Sequence, residues 1–419
     1  MNTKADHIAT ALTVAGIALL CINPGITQGE DNKNLLLCAA MCLSPAVLLL
    51  KGTRVIIPRV DLPLLAVCVL SVICPPLFHP ESVRWITVLF TCAYCVYFMM
   101  LARVLRISSF TPHLLVRTIR WIIYAFAAVL VIQQFCVLTG LPVFMSAMVY
   151  PGYPWKLNSL TAEPSHTTVT LCMAMFTFTQ TCRAIHPGES LWNNIRKNPM
   201  TWLCWVYTTF ITYNASAFIL APLAFIPYIT KRNITIWVAA AAIVLAAVHL
   251  TPLRNYWQLQ RIMWTAEALV TFDEQAIIDA DDSAAMRIVP SIYGIKALAH
   301  SSALELAVGH GTDADQRKLP PRPCDEKQRG FAGVFCMAYN YGIPCALAFW
   351  AAIGMATLTR RRWTSIITFL FALQLSADYN MQLVWMIMAF GMMFKYSVCG
   401  SHRLLDTIRF NHNTHQTLI

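Results

Sequence analysis

The sequence predicts an all-α polytopic membrane protein of about twelve transmembrane helices (ten to twelve), with one large outward loop that contains short helices of its own. Three observations predict this class. Only 12% of the 419 residues are charged, against about 25% in soluble domains, while 57% are hydrophobic and mean hydropathy is +0.56. The apolar runs approach the roughly 17–25 residues that a helix needs to cross a hydrocarbon core about 30 Å thick, and they lack the short alternation of barrel strands. The basic residues alternate in density from one connector to the next, as cytoplasmic and outward loops do.

In chain order the spans read as 8–24, 34–50, 62–78, 85–102, 118–139, 164–184, 201–213, 215–230, 234–250, 331–357, 364–377 and 382–398, of which 201–213 is short for a span. Lys4 precedes the first apolar run as it would in a signal peptide, but no small-x-small site follows before Asn23-Pro24-Gly25, so the run is read as a retained helix. The organisation is therefore residues 1–250 with nine helices, including a short outward loop near 140–163; the large loop 251–330; helices ten to twelve in 331–398; and a cytoplasmic tail, 399–419.

With the N-terminus inside, the cytoplasmic segments hold nineteen Lys and Arg, and the short outward loops hold only Lys33, Arg84 and Lys156. The nine basic residues of the long loop do not count, because long segments cross regardless of charge. Both termini thus read as cytoplasmic and the loop as outward. The net charge of +11 is accounted for by the cytoplasmic connectors and calls for no nucleic acid. Most of the fifteen cysteines, such as Cys38, Cys42, Cys92, Cys95 and Cys172, fall in apolar spans and read as small buried residues. Cys324 sits alone in an exported loop and gets no role.

Two connectors stand out. The outward segment Leu141–Ala162 is rich in Pro, Gly and aromatics around Tyr150–Trp155 and reads as lying along the membrane surface. In the long loop, Tyr256, Leu259, Met263 and Ala266 recur at helical spacing beside Trp257 and Trp264, which predicts an interfacial amphipathic helix over Arg254–Val270. A second helix is read over Ser283–Ser301, perturbed by Pro290 and Gly294, and the Pro-rich, charged run Gly309–Arg329 reads as a mobile lid or a solvated linker.

The strongest local chemistry lies where the outward loop becomes the sixth span: Lys156, then Glu163-Pro164-Ser165-His166. Proline suits a first helical turn and a carboxylate suits the dipole there, so one reading makes Glu163 a cap. The other makes free helix-start amides with Lys156, Ser165 and His166 a binding place for an anionic group such as a phosphate. Arg287 on the second loop helix suits a bidentate grip on pyrophosphate, or a headgroup anchor. Arg254 and Arg261, seven residues apart, share a face and add positive field. His310, between Gly309 and Gly311, could shuttle protons, and Asp378 lies at the outer end of the eleventh span, where a charge needs a partner or water. No Walker loop, dinucleotide fingerprint, zinc cluster or HExxH is present, so neither cofactor nor metal is expected.

Over roughly residues 85–398 the chain resembles the O-antigen ligase and polymerase superfamily, and its Wzy-type polymerases in particular. The resemblance rests on a basic residue seven positions before Glu-Pro-Ser (Lys156 and Glu163-Pro164-Ser165), on Arg287 followed by Gly309-His310-Gly311, and on Tyr339-Asn340-Tyr341-Gly342-Ile343-Pro344 at the tenth span. It departs from the family at Thr212–Ser216, which carries no arginine, and in having Lys156 where arginine is common. Gly330–Met337 lacks the histidine of the ligase branch, which favours polymerase over ligase. The resemblance implies a metal-independent membrane glycosyltransferase of O-antigen, capsule or exopolysaccharide synthesis. Its donor would be a glycan on undecaprenyl pyrophosphate, its acceptor a sugar hydroxyl of a lipid-linked repeat unit, and its place the outer face of the bacterial inner membrane. Arg287 first and Lys156 second would stabilise the leaving pyrophosphate, with Glu163 or His310 as base. The lipid bilayer and lipid-linked oligosaccharides are the implied partners, and a chain-length regulator is left open. The rival readings are the ligase and, from another class, a multi-span transporter or flippase, which would show two related halves.

Overall fold

A computed structural model describes residues 3–22, 41, 43–48, 57–107, 110–143, 155–212, 214–271, 273–323, 326, 329–359, 362–398 and 407–408; for Arg254 and Asp378 it describes the backbone alone. The surface segment around Tyr150–Pro154, residue Cys324 and most of the second span and the tail lie outside the described residues.

The protein is all-helical, with a single two-residue bridge among the described residues, Ile57–Pro58 to Thr407–Ile408. The first helices are α1 (Thr3–Cys21), α2 (Asp61–Phe78), α3 (Trp85–Ile107) and α4 (Pro112–Thr139), followed by α5 (Pro164–Ile185). Next come α6 (Leu191–Lys197), α7 (Pro199–Ile211), α8 (Ala215–Leu220) and α9 (Ile234–Leu250). Among the described residues, helices α2, α3 and α4 are each long and apolar enough to cross a membrane, and six shorter apolar helices accompany them. Leu62, Leu65, Val69, Val72 and Ile73 of α2 are exposed, and so are Val131, Ile132, Phe135 and Leu138 of α4. An outward apolar face of this kind is consistent with a membrane protein, because bilayer lipid solvates it and water does not.

The start of α4 shows how the sequence sets helix ends. The Thr111 hydroxyl accepts from the Leu114 amide at 3.2 Å, Pro112 fills the first turn, and Gly140 closes the helix at φ +71°. Pro222 and Pro227 cannot donate to a helical ladder, and the expected eighth span accordingly divides into α8 and a 3-10 segment, Ala221–Tyr228.

The core is built on α5 and α18 (Gln382–Val398), both buried along most of their length. Trp385 of α18 stacks on Tyr94 of α3 with centroids 5.6 Å apart, packs against Phe98 and Phe349, and donates to the Tyr379 carbonyl at 2.9 Å. Burying such a side chain with its one polar atom satisfied adds stability at no hydrogen-bond cost.

The large loop folds as α10 (Trp257–Thr271), α11 (Glu274–Ala280), α12 (Asp282–Ala299), α13 (Ala303–Val308) and α14 (Ala314–Lys318). Helices α10 to α12 form a cap around a small core of their own, Ala268, Ile277, Ala285 and Val289. The second loop helix read over Ser283–Ser301 is present as α12, with Pro290 inside it, and Gly294 is a packing site, where a Cβ would lie 1.7 Å from the Phe331 ring. The run from Gly309 is neither lid nor linker as far as Leu319, because residues 309–315 and Leu319 are buried and the run is bonded to its surroundings.

The tenth span also differs from the continuous helix expected. It consists of α15 (Cys336–Tyr341) and α16 (Ile343–Thr357), broken at Gly342 with φ +87°. Crossing backbones impose the break: a Cβ on Gly342 would meet the Ala307 carbonyl oxygen at 2.4 Å, and one on Gly309 would meet that of Asn340 at 2.3 Å. The remaining helix, α17 (Ser365–Gln374), ends in a 3-10 turn, Leu375–Asp378.

Candidate functional site

Residues 155–162 form a tight, buried loop ahead of α5. Ser159 takes φ +51°, a conformation that its surroundings hold in place. Its hydroxyl donates to the Phe126 carbonyl at 2.7 Å and its amide to Gln133 Oε1 at 2.9 Å, while Gln133 Nε2 donates back to the Ser159 carbonyl at 3.2 Å. Across the loop, Thr167 donates to the Asn158 carbonyl at 2.5 Å and Thr161 to the Glu163 carbonyl at 2.8 Å. Leu157 and Ser159 are fully buried. Lys156 enters this fixed loop and Glu163 leaves it, so both are carried on rigid backbone.

Glu163 occupies the N-cap position of α5 with extended backbone, but its side chain makes no capping bond. The carboxylate instead accepts the Ser165 hydroxyl at 2.9 Å and remains exposed. Glu163 is thus the cap position, as one reading had it, but its carboxylate binds the first-turn Ser165 hydroxyl and no helix amide.

Lys156 is half-buried. Burial first, and then the charge of Arg261, pull its ammonium below the usual lysine range, with Glu163 acting in the opposite direction. The cap thus brings Arg261 of α10 within electrostatic reach of the loop before α5. Arg261 is itself fixed. It pairs through two nitrogens with the Asp281 carboxylate, NH2 to Oδ1 at 3.1 Å, and Asp281 also caps α12 by accepting from the Ala284 amide at 2.7 Å. The Lys156 ammonium therefore feels a guanidinium and a carboxylate from outside its own residue, and that guanidinium is already paired with Asp281.

The other predicted residues fall elsewhere. Ser165 is a direct partner of Glu163. His166 lines a small cleft with Leu20, Cys21, Thr161, Thr170, Gln382 and Met386, where α1, α5 and α18 meet. Arg287 is exposed on α12. His310 is buried, stacked on Tyr339 at 4.2 Å with its Nδ1 3.2 Å from the Tyr339 carbonyl, which fixes the proton on that nitrogen. Its Nε2 faces Ser301 Oγ at 3.2 Å and Glu305 at 3.7 Å, and burial lowers its pKa. His310 is therefore occupied in holding the loop, with none of Lys156, Glu163 or Ser165 among these neighbours. The side chains of Arg254 and Asp378 lie outside the described residues.

The polar residues around His310, which the sequence reading passed over, explain why the run from Gly309 is rigid. His79 Nε2 lies 2.9 Å from the Gly309 carbonyl. Thr87 donates to Asp313 at 2.7 Å, Arg84 pairs with the same carboxylate at 3.6 Å, and Arg317 donates to the Ser82 carbonyl at 3.0 Å. Asp315 accepts from Asn340 Nδ2 at 2.8 Å and from the Phe331 amide at 2.9 Å, while its own amide donates to Asn340 Oδ1 at 3.0 Å. The available signal was the alternation Gly309, Gly311, Asp313, Asp315, since glycines beside paired acids mark close backbone approach with buried acceptors. Among the described residues no group of His, Cys, Asp or Glu is arranged to hold a metal ion.

No protein-family model matches the chain, and no curated protein matches it.

Proposed function

We propose that the protein is a membrane glycosyltransferase that polymerises lipid-linked oligosaccharide repeat units, as its resemblance to Wzy-type polymerases implies. The carrying observation is that Lys156 lies within electrostatic reach of both Glu163 and Arg261, the latter on an element about a hundred residues away in sequence. In this reading the chain crosses the bacterial inner membrane about twelve times with both termini cytoplasmic, and the loop and α10 to α14 face the periplasm. Lys156 and Arg261 grip the pyrophosphate that leaves with its undecaprenyl carrier, since departure of that anion is the electrostatic problem of the reaction. Arg287, on the same cap, adds field. Glu163, exposed and oriented by Ser165, takes the proton of the acceptor hydroxyl. The geometry of His310 supports a structural role instead.

The test is reconstitution of the full chain in liposomes with a lipid-linked repeat unit. Wild type is expected to produce a polymer ladder. Glu163→Gln, which keeps the Ser165 contact but cannot accept the proton, is expected to lose about 10²–10⁴-fold in rate with the protein still in the membrane. A ladder of normal intensity from Glu163→Gln would remove Glu163 from the chemistry, and no ladder from wild type with any lipid-linked repeat would overturn the reading itself.

A further inference from the structure

Two Arg–Trp pairs stand at the end of the bundle where α4 begins and α5 finishes. On α4, Arg117 and Trp121 are four residues apart and share a face, and on α6 Trp192 and Arg196 do the same. All four side chains are exposed, Trp121 by 62% and Trp192 by 58%, and the Arg196 guanidinium lies over the Trp192 ring, 5.0 Å from its centroid. The elements that carry the pairs are locked together. Arg120 Nη2 donates to Asn198 Oδ1 at 2.7 Å, and the Tyr124 and Thr201 hydroxyls share a bond of 3.1 Å, which joins α4 to α7. Arg117 and Trp121 each precede one of those joint residues by three positions, which places them on its flank. Helix α6 is pinned in turn by the buried Asn194, whose Oδ1 accepts from Trp202 Nε1 at 3.0 Å, and by the Lys197–Glu189 pair at 2.8 Å. The charges are not balanced: Arg117 and Arg196 form no ion pair among the described residues, and Arg120 Nε, buried at the joint, makes no hydrogen bond. Beside this basic rim, Met200 and Leu203 of α7 are 57% and 61% exposed.

We infer that the α4–α6–α7 joint is a seat for an anionic phospholipid, whose phosphate accepts from Arg117 and Arg196 while its acyl chains lie against Met200 and Leu203. Charge complementarity selects this occupant. An open guanidinium with no carboxylate of its own lacks an acceptor, and a phosphate diester supplies one with two oxygens in the geometry that arginine matches. A zwitterionic lipid carries the same phosphate but also an ammonium, which two arginines and the Arg120 guanidinium behind them repel; a lipid with net negative charge has no such penalty. The indoles fit the boundary between headgroup and chain, where a ring that is apolar with one N–H donor is most stable. Stacking on Trp192 also restricts the Arg196 side chain before any lipid arrives, which lowers the entropy lost on binding.

The experiment titrates the full chain, stripped of lipid in a neutral detergent, with dioleoylphosphatidylglycerol and dioleoylphosphatidylcholine, and reads bound lipid by native mass spectrometry. Phosphatidylglycerol is expected to bind about tenfold more tightly than phosphatidylcholine, and Arg117→Gln with Arg196→Gln to bring the two within about twofold. Both arginines are exposed, so the lipid-free melting midpoint of that variant should match wild type and show that the fold is intact. Lys4→Gln with Arg59→Gln removes two exposed cations on other elements and is expected to keep the preference. Equal binding of the two lipids by wild type, or a preference that survives loss of Arg117 and Arg196, overturns the inference. So does an equal loss in the Lys4 and Arg59 variant, which would make the preference a property of the whole basic surface. Displacement of phosphatidylglycerol by an equal concentration of inorganic phosphate would make the joint a soluble-anion site and overturn it as well. None of these outcomes bears on the glycosyltransferase reading, because none of these residues belongs to the site of Lys156 and Glu163.

Discussion

Arg261→Ala isolates the cation pair. The proposed function gives Arg261 one effect, a guanidinium supplied to an anion bound beside Lys156, and the structure gives it another, a charge that lowers the proton affinity of that lysine. A charge-assisted bond to an anion contributes about 1.5–3 kcal/mol, so its loss corresponds to about 10- to 150-fold in kcat/KM. The lysine effect has a definite sign. In wild type the charged form of Lys156 is lost as pH rises through a depressed pKa; without Arg261 that pKa rises, so the alkaline fall in activity moves to higher pH. The assay is polymer formation from a lipid-linked repeat in liposomes across neutral to alkaline pH, with membrane content checked by immunoblot. Asp281→Asn, which loosens Arg261 without removing it, falls between wild type and Arg261→Ala, and Arg287→Ala loses less than Arg261→Ala because Arg287 is exposed. An alkaline limb that stays in place, with kcat/KM unchanged, would falsify the cation pair as a functional unit.

Three further outcomes follow from the docked loop. Gly342→Ala puts a Cβ against the Ala307 carbonyl at a left-handed φ, so a cost of several kcal/mol is expected, read as a lowered midpoint in a thermal melt of the detergent-solubilised protein; an unchanged midpoint would mean that the two backbones do not cross so closely. Asn340→Ala leaves Asp315 buried without its principal side-chain donor, a loss of about 2–5 kcal/mol, and faster proteolysis at 309–323 is the readout. Acidification should undock the same run: the pKa values of His310 and Glu305 are both depressed, so the stability they confer is present above their undocked values and lost as pH falls through the docked ones. Hydrogen exchange at Gly309–Leu319 should rise on going from neutral to mildly acidic pH, and a flat profile counts against the assignment.

The helical class and most helix positions were legible because they depend on composition and on the length of apolar runs, which the sequence displays directly. Helix α5 illustrates the boundary of that legibility. Its N-terminus at Pro164 is a local signal, but its burial on nearly every side is not, since six of its buried positions are threonine; the hydroxyls of Thr168, Thr177 and Thr181 donate to carbonyls one turn back, and that of Thr167 to the Asn158 carbonyl. Proline-rich character misled over the first part of Gly309–Arg329, because in Gly309–Leu319 buried acids and close-approach glycines make a fixed junction. Arg287 drew attention by its motif, and Arg261 carries the electrostatic contact, because which face of the cap turns toward Lys156 is a property of tertiary packing.

The loop therefore has two mechanical parts, and this division bears on how a site of this kind works. The run from Ala303 to Leu319 is bonded to the α2–α3 hairpin, where His79, Ser82, Arg84 and Thr87 each contribute a contact, and to Asn340. The cap α10 to α12 has a small core of its own and an ion pair between Lys296 and Glu274, and it also seats on the body, where Ser291 donates to the Ala332 carbonyl and Gly294 lies against the Phe331 ring. Arg261 belongs to the second part and Lys156 to the body. A ligand bound between them therefore links the cap to the body, and its binding energy opposes cap displacement. The clamp on Arg261 by Asp281 makes that linkage rigid, because the guanidinium cannot swing to follow the ligand without breaking a two-nitrogen pair that also caps α12.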